Sequence, residues 1–209
     1  MNEYFECQLN EDNYRTKTRC RSVPVFRLCR NVSIMFIDIR DFTRFAVSRR
    51  PEEIAQFQND FFRIVINTVM QYQGIVHQFL GDGCMVTFGA TLELDNPSHN
   101  AVLASERLLQ ALDEALDRGE LRATRIGIGI HSGEVVTGNV GTAECQQHSI
   151  SGSVVILAAR IEQMNKVFDS QLLVSEEVIR SSGRQVDATC LGAVSLKGWQ
   201  KPISIFKLA

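Results

Sequence analysis

Six cysteines (Cys7, Cys20, Cys29, Cys84, Cys145 and Cys190) are scattered through the 209 residues without a single Cys-x-x-Cys pair. Such spacing indicates neither a zinc site nor a disulfide framework, so the thiols are read as reduced, with Cys84 packed in a strand. No stretch approaches the roughly 18 to 20 apolar residues needed to cross a bilayer, and the polar start, residues 1–22, lacks the apolar core of a signal peptide. The expectation is a cytoplasmic protein without a membrane partner. The net charge of -2 supplies no basic field for nucleic acid or an anionic surface, so any phosphate binding has to be local. Fixed-period repeats and low-complexity segments are missing too.

What is present is enough apolar material, 44% of residues, for one substantial core. Residues 1–30 show no periodicity and read as an irregular lead-in to a single domain over 31–209. The run Val32-Ser33-Ile34-Met35-Phe36-Ile37 reads as a buried strand. Pro51-Glu52-Glu53 opens a helix that runs to about Gln73 and stops at Gly74, with Ile54, Phe57, Phe61, Ile64, Val65 and Thr68 inward. Two β-type runs over 75–80 and 84–89 flank the Gly81-Asp82-Gly83 turn. A second helix spans 98–116, with Val102, Leu108, Leu109 and Leu112 inward. The run 125–131 alternates isoleucine with glycine, a strand that something approaches closely, and a turn at Ser132-Gly133 leads into 134–140. A third helix covers 153–167, with Leu157, Ile161 and Met164 inward and Arg160 projecting near its middle. A terminal β-pair over 188–196 and 202–208 is joined by Lys197-Gly198-Trp199-Gln200. The order implies an α+β fold, helices covering a mixed or antiparallel sheet.

Two carboxylates carry the chemistry of this pattern. Asp38 ends a buried strand in Ile37-Asp38-Ile39-Arg40-Asp41-Phe42-Thr43, and Asp82 sits at the tip of a hairpin. A carboxylate at the end of a buried strand is costly unless a cation stands beside it, and Mg²⁺ takes oxygen ligands while keeping substrate phosphates in its shell. The plainer alternative is that Asp38 caps the next helix and Asp82 is a turn residue. For Phe42 and Phe79, core packing is the commoner role.

The signatures Phe36-Ile37-Asp38-Ile39-Arg40-Asp41-Phe42-Thr43, Phe79-Leu80-Gly81-Asp82-Gly83, Gly127-Ile128-Gly129-Ile130-His131-Ser132-Gly133, Gly138-Asn139-Val140-Gly141, Leu157-Ala158-Ala159-Arg160 and Leu196-Lys197-Gly198 stand in one order. In that order the chain from about Val32 onward resembles the catalytic domain of class III nucleotide cyclases, the adenylate and guanylate cyclase family. The resemblance implies a ferredoxin-like core in a head-to-tail homodimer with sites shared between chains. It implies that the ribose 3′-oxygen of a nucleoside triphosphate attacks its own α-phosphate and expels pyrophosphate. Two Mg²⁺ or Mn²⁺ ions per site would be held by Asp38, the Ile39 position and Asp82, lowering the pKa of the 3′-hydroxyl and neutralising the triphosphate. The turn from Ile39 through Phe42 to Thr43 would cradle phosphate oxygens. Arg160 of the partner chain matches the arginine that stabilises charge on the α-phosphate, and Lys197 a triphosphate-binding lysine.

Three positions depart from the family pattern. Gln78, four residues before Asp82, stands where adenylate cyclases carry a base-reading lysine and guanylate cyclases a glutamate, and glutamine can donate and accept. Ser149 replaces the aspartate or threonine that partners that lysine. Ile156, four residues before Arg160, replaces the asparagine that orients the ribose, a contact whose loss could slow turnover roughly a hundredfold. Cys145 stands where many relatives have a basic residue. Three readings follow: a cyclase with non-standard base selection, including a pyrimidine cyclase; a weak adenylate or guanylate cyclase; and a degenerate domain that binds nucleotide or a partner cyclase without turnover.

Overall fold

The computed structural model describes residues 28–141, 146–183 and 185–209. The lead-in assigned to residues 1–30 lies mostly outside them, as does Cys145, and residues 28–30 already belong to a strand.

The elements run β1 (Leu28–Ile39), α1 (Phe42–Val47), α2 (Pro51–Gln71), β2 (Ile75–Leu80), β3 (Gly83–Phe88), α3 (Pro97–Asp117), β4 (Ile126–Gly141), β5 (Gln146–Ser151), α4 (Ser153–Phe168), β6 (Leu172–Ser175), α5 (Glu176–Ser182), β7 (Thr189–Val194) and β8 (Ile203–Lys207). They build one eight-stranded sheet in the order β2-β3-β1-β4-β6-β8-β7, with β5 paired to β4. The first four strands give the βαββαβ arrangement of a ferredoxin-like core, all neighbours antiparallel. The β4–β6 pair is parallel, which makes the sheet mixed.

Alternation along β1 shows how the layers form. Met35, Ile37 and Ile39 join Phe57, Phe61 and Val65 of α2 and Val102, Leu108 and Leu112 of α3 in the larger core. The intervening Val32 and Ile34 join Val154 and Ala158 of α4 in a second core, with Phe36 against it. Both faces of β1 are therefore covered. Pro51 and the acidic Glu52 and Glu53 open α2, and the Asn96 side chain accepts from the His99 N–H at 2.9 Å to cap α3. Burial pushes the Cys84 thiol up to about 12, leaving it an unreactive core residue.

Two expectations need correction, and one helix is an addition. No turn forms at Ser132-Gly133: β4 is one strand over Ile126–Gly141, since β1 offers a continuous ladder from Ile39↔Ile126 through Ser33↔Ser132 and Val32↔Gly133 to Leu28↔Thr137. Phe79 is not core, being 52% exposed with its ring edge-on to Phe62. Short α5 adds a helix that the sequence pattern does not announce, because its seven residues bury only Val178 and Ser182 and leave little helical periodicity to read.

Candidate active site at the end of the central strands

Asp38 lies on the α4 side of the sheet, the last residue of β1 before Ile39, opposite Gly83 of β3 and Gly127 of β4. Gly83 has no room for a side chain, because a Cβ there would stand 2.5 Å from the Ile37 carbonyl oxygen and 3.3 Å from Asp38 Oδ1. The hairpin between β2 and β3 is closed by Gly81 and Asp82, with Gly81 at φ +71°, so the Asp82 carboxylate is carried back beside Asp38. After Ile39 the chain turns through Asp41, in a left-handed conformation (φ 56°), into α1. Asp38, Ile39, Asp41, Phe42, Thr43, Arg44, Val47, Asp82 and Lys166 line one pocket of about 520 Å³.

Burial holds the Asp38 carboxyl above its ordinary range and the neighbouring Asp82 charge pushes it further, while Arg40 and Lys166 pull it down. A half-buried carboxylate with a second carboxylate in the same pocket forms a donor set suited to a hard cation. Among the described residues no group of three or more His, Cys, Asp or Glu is arranged to hold a metal. A two-carboxylate set fits Mg²⁺ or Mn²⁺ that completes its shell with phosphates and water.

Of the residues singled out in the sequence, Asp38, Ile39, Phe42, Thr43 and Asp82 come together here. Phe42 is half-buried, stacked on Phe57, and is therefore as much a support for the turn as a wall of the pocket. The other five do not line this pocket. Gln78 is exposed on β2 opposite Met85, and Ser149 is half-buried on β5 opposite Gly138. Ile156 is 58% exposed on α4, and Arg160, one turn on, donates to Gln163 Oε1 at 2.8 Å. Lys197 is exposed between β7 and β8.

Sequence reasoning missed three charged residues around Asp38. Arg40 Nη2 stands 2.8 Å from Glu162 Oε1 of α4, and its Nη1 stands 3.8 Å from Asp38 Oδ2. Lys166, one turn beyond Glu162, reaches the pocket itself. Burial pushes Glu162 up to about 7, with Arg40 pulling down and Asp38 pushing up. A signal existed: Glu162 follows Ala158 by four residues on the inner stripe of α4, where a lone carboxylate needs a buried partner.

The glycines of β4 explain why α4 comes so close. A Cβ on Gly129 would fall 2.1 Å from the Glu162 backbone nitrogen, and one on Gly127 would fall 1.6 Å from Arg40 Nη2. What approaches this strand is the helix and its ion pair. Asn165 fixes the contact by donating to the Ile128 carbonyl at 2.9 Å, and Ser170 donates to Asn165 Oδ1 at 2.9 Å.

A model of the adenylate and guanylate cyclase catalytic domain matches residues 26–209, and the chain belongs to this family. An uncharacterised protein of Mycobacterium tuberculosis is 34% identical over 178 residues, 84% of this chain and 30% of that protein. Adenylate cyclase 1 of Rhizobium meliloti is 31% identical over 180 residues, 85% of this chain and 27% of that protein. The chain thus spans about a third of the length of these curated relatives. Among solved structures, the guanylyl cyclase Cya2 superposes with a TM-score of 0.78 at 28% identity, covering 87% of this chain and 92% of that one. The adenylyl cyclase CyaB from P. aeruginosa, at 21% identity, shares the fold with a TM-score of 0.73 over 88% and 96% of the two chains.

Proposed function

We propose that this domain converts a nucleoside triphosphate to a 3′,5′-cyclic nucleotide and pyrophosphate, at sites shared between two copies of the chain. The observation that carries the reading is the separation of the site residues. Asp38 and Asp82 share a pocket that Arg160, Ile156, Gln78, Ser149 and Lys197 do not line. A triphosphate seated at the carboxylates of one protomer needs cationic and base-facing groups from another. Two of the elements bearing those groups also expose apolar side chains suited to burial against a second copy, Phe79 and Leu80 on β2 and Ile156 on α4, as does β4, the strand paired to β5, with Val136 and Val140.

In this reading Asp38 and Asp82, with the Ile39 position, hold two divalent cations. When bound, these ions supply charge neutralisation of the triphosphate and a lowered pKa for the 3′-hydroxyl. The Ile39–Thr43 turn positions the phosphates, and Lys166 adds a positive charge to the same pocket. Arg160 of the second copy stabilises charge on the α-phosphate, and its Lys197 binds the triphosphate. Gln78 and Ser149 face the base without the charge that names adenine or guanine, which leaves a pyrimidine triphosphate as a candidate. Ile156 favours a second reading, because an exposed isoleucine cannot hydrogen-bond a ribose: a domain that binds nucleotide or a partner cyclase without turnover.

The test is incubation of the purified protein with ATP, GTP, CTP or UTP in turn plus Mn²⁺, with separation of cyclic products. The proposal expects one cyclic nucleotide to dominate. A folded protein that binds nucleotide and yields none of the four would establish the second reading.

A further inference from the structure

Arg40 stands between two carboxylates with a donor to spare. Its Nη2 lies 2.8 Å from Glu162 Oε1 and donates to the Glu162 carbonyl at 3.4 Å. Its Nη1 is buried, has no hydrogen-bond partner, and lies 3.8 Å from Asp38 Oδ2. That separation is too long for a hydrogen bond and short enough for a small side-chain rotation to close it. A guanidinium that turned fully onto Asp38 would form a charge-assisted, two-pronged pair and occupy the oxygens a metal ion needs. Glu162 holds the other side of the fork, its Oε1 2.8 Å from Nη2. The hold requires an empty space on β4, since a Cβ at Gly127 would lie 2.4 Å from Arg40 Cζ and 2.5 Å from Glu162 Oε1. It also requires α4 to press on the strand, which Gly129 and the Asn165 hydrogen bond to Ile128 secure.

We propose that Glu162 is a positioning residue that restrains Arg40 and so keeps the Asp38 carboxylate available to a divalent cation. The inference rests on the reading of Asp38 as a metal carboxylate. It gives α4 a second role, because the helix that carries Arg160 toward another protomer also governs, two residues further on, the metal carboxylate of its own. Replacing Glu162 with a neutral isostere frees Arg40 to pair with Asp38, and removing Arg40 as well leaves Asp38 unopposed.

The experiment measures binding of Mn²⁺ alone at pH 8, from loss of the free-ion resonance signal, in the whole chain and in Glu162→Gln, Arg40→Gln, the double variant and Asp38→Asn, each checked for folding by circular dichroism and melting. Outer partners of metal ligands typically set affinity within ten- to a hundredfold, so Glu162→Gln is expected to bind Mn²⁺ about tenfold more weakly than wild type. The double variant is expected to recover wild-type affinity, and Arg40→Gln to bind at least as tightly as wild type. A role in packing alone predicts no such rescue, because the double variant loses more contacts than either single one. Unchanged affinity in folded Glu162→Gln, or a folded double variant no better than Glu162→Gln, overturns the proposal while leaving Asp38 as a ligand. Equal Mn²⁺ binding by wild type and Asp38→Asn overturns the metal-site reading itself, and this inference with it.

Discussion

On one face of the sheet, Met35, Ile37 and Ile39 of β1 lie with Ile126, Ile128 and Ile130 of β4 in a dry core closed by α2 and α3. On the opposite face of the same strands, Asp38 and the following Arg40 meet Gly127, Gly129 and the Glu162 carboxylate of α4. The first face is an ordinary apolar layer, where full burial of each large side chain contributes about 1.5 to 3 kcal/mol. The second gives up side chains on β4 and buries charge, an arrangement that costs stability unless every group finds a partner. The chemistry therefore occupies one end of the α4 face, whose remainder is a second apolar layer of Val32, Ile34, Val154 and Ala158. The α2/α3 core and this layer hold the strands, and the site uses that rigidity to keep carboxylates in place.

The largest effect expected from breaking the chemical face is on turnover. Asp38→Asn or Asp82→Asn should lower cyclic-nucleotide formation by about a thousandfold or more, because the transition-state stabilisation that the proposed cations would supply is lost. Circular dichroism and melting should stay close to wild type, since neither carboxylate joins the apolar core. Retained activity in either variant would remove the two-carboxylate site.

The two glycines of β4 sharpen the contrast within one strand. Gly129→Ala drives a methyl into the α4 backbone and should destabilise the fold by on the order of 3 kcal/mol in denaturant unfolding. At Gly127 the obstruction is the movable ends of Arg40 and Glu162, so Gly127→Ala should cost about 1 kcal/mol yet weaken Mn²⁺ binding severalfold. Equal stability losses at the two positions would contradict this division.

At Ile156 the expected change is smaller and depends on the substrate. If the domain is a weakened purine cyclase, Ile156→Asn should raise turnover of ATP or GTP about tenfold, in kcat more than in KM, because an orienting contact acts in the transition state. If the pocket suits another base, purine turnover should stay negligible and activity on the native substrate should fall.

The smallest effect is a slope. Glu162 is pushed up to about 7 from an ordinary 4.5, chiefly by burial, and Asp38 is shifted in the same direction. Between pH 4.5 and 7 the folded chain therefore binds more protons than the unfolded chain, and the stability of the metal-free protein falls as pH rises through that window. Melting temperatures of wild type should fall more steeply there than those of Glu162→Gln. Parallel slopes would show that Glu162 does not titrate in this way.

The apolar core and the two aspartates were legible in the sequence, and the ion pair behind Asp38 was not. Period-3.6 stripes such as Phe57, Phe61 and Val65, and alternation such as Ile126, Ile128 and Ile130, are local patterns imposed by burial on one side. Asp38 and Asp82 were legible because strand ends and Gly-Asp-Gly tips constrain where a carboxylate can point. The Arg40–Glu162 pair joins positions 122 residues apart, and nothing in either segment names the other. The unbroken β4 was hidden for a related reason: Ser132-Gly133 has turn chemistry locally, and only the ladder to Val32 and Ser33 overrides it.

The most direct test of a shared active site mixes two inactive chains. Asp82→Asn lacks one of the proposed metal carboxylates and Arg160→Ala the arginine proposed to act with them, yet a heterodimer of the two would contain one site with both groups intact. Cyclase activity should return to about a quarter of wild type when subunits exchange at equal concentration, since half of the dimers are then mixed and each carries one of two sites. No recovery, with exchange verified by labelled subunits, would contradict a site built from two chains.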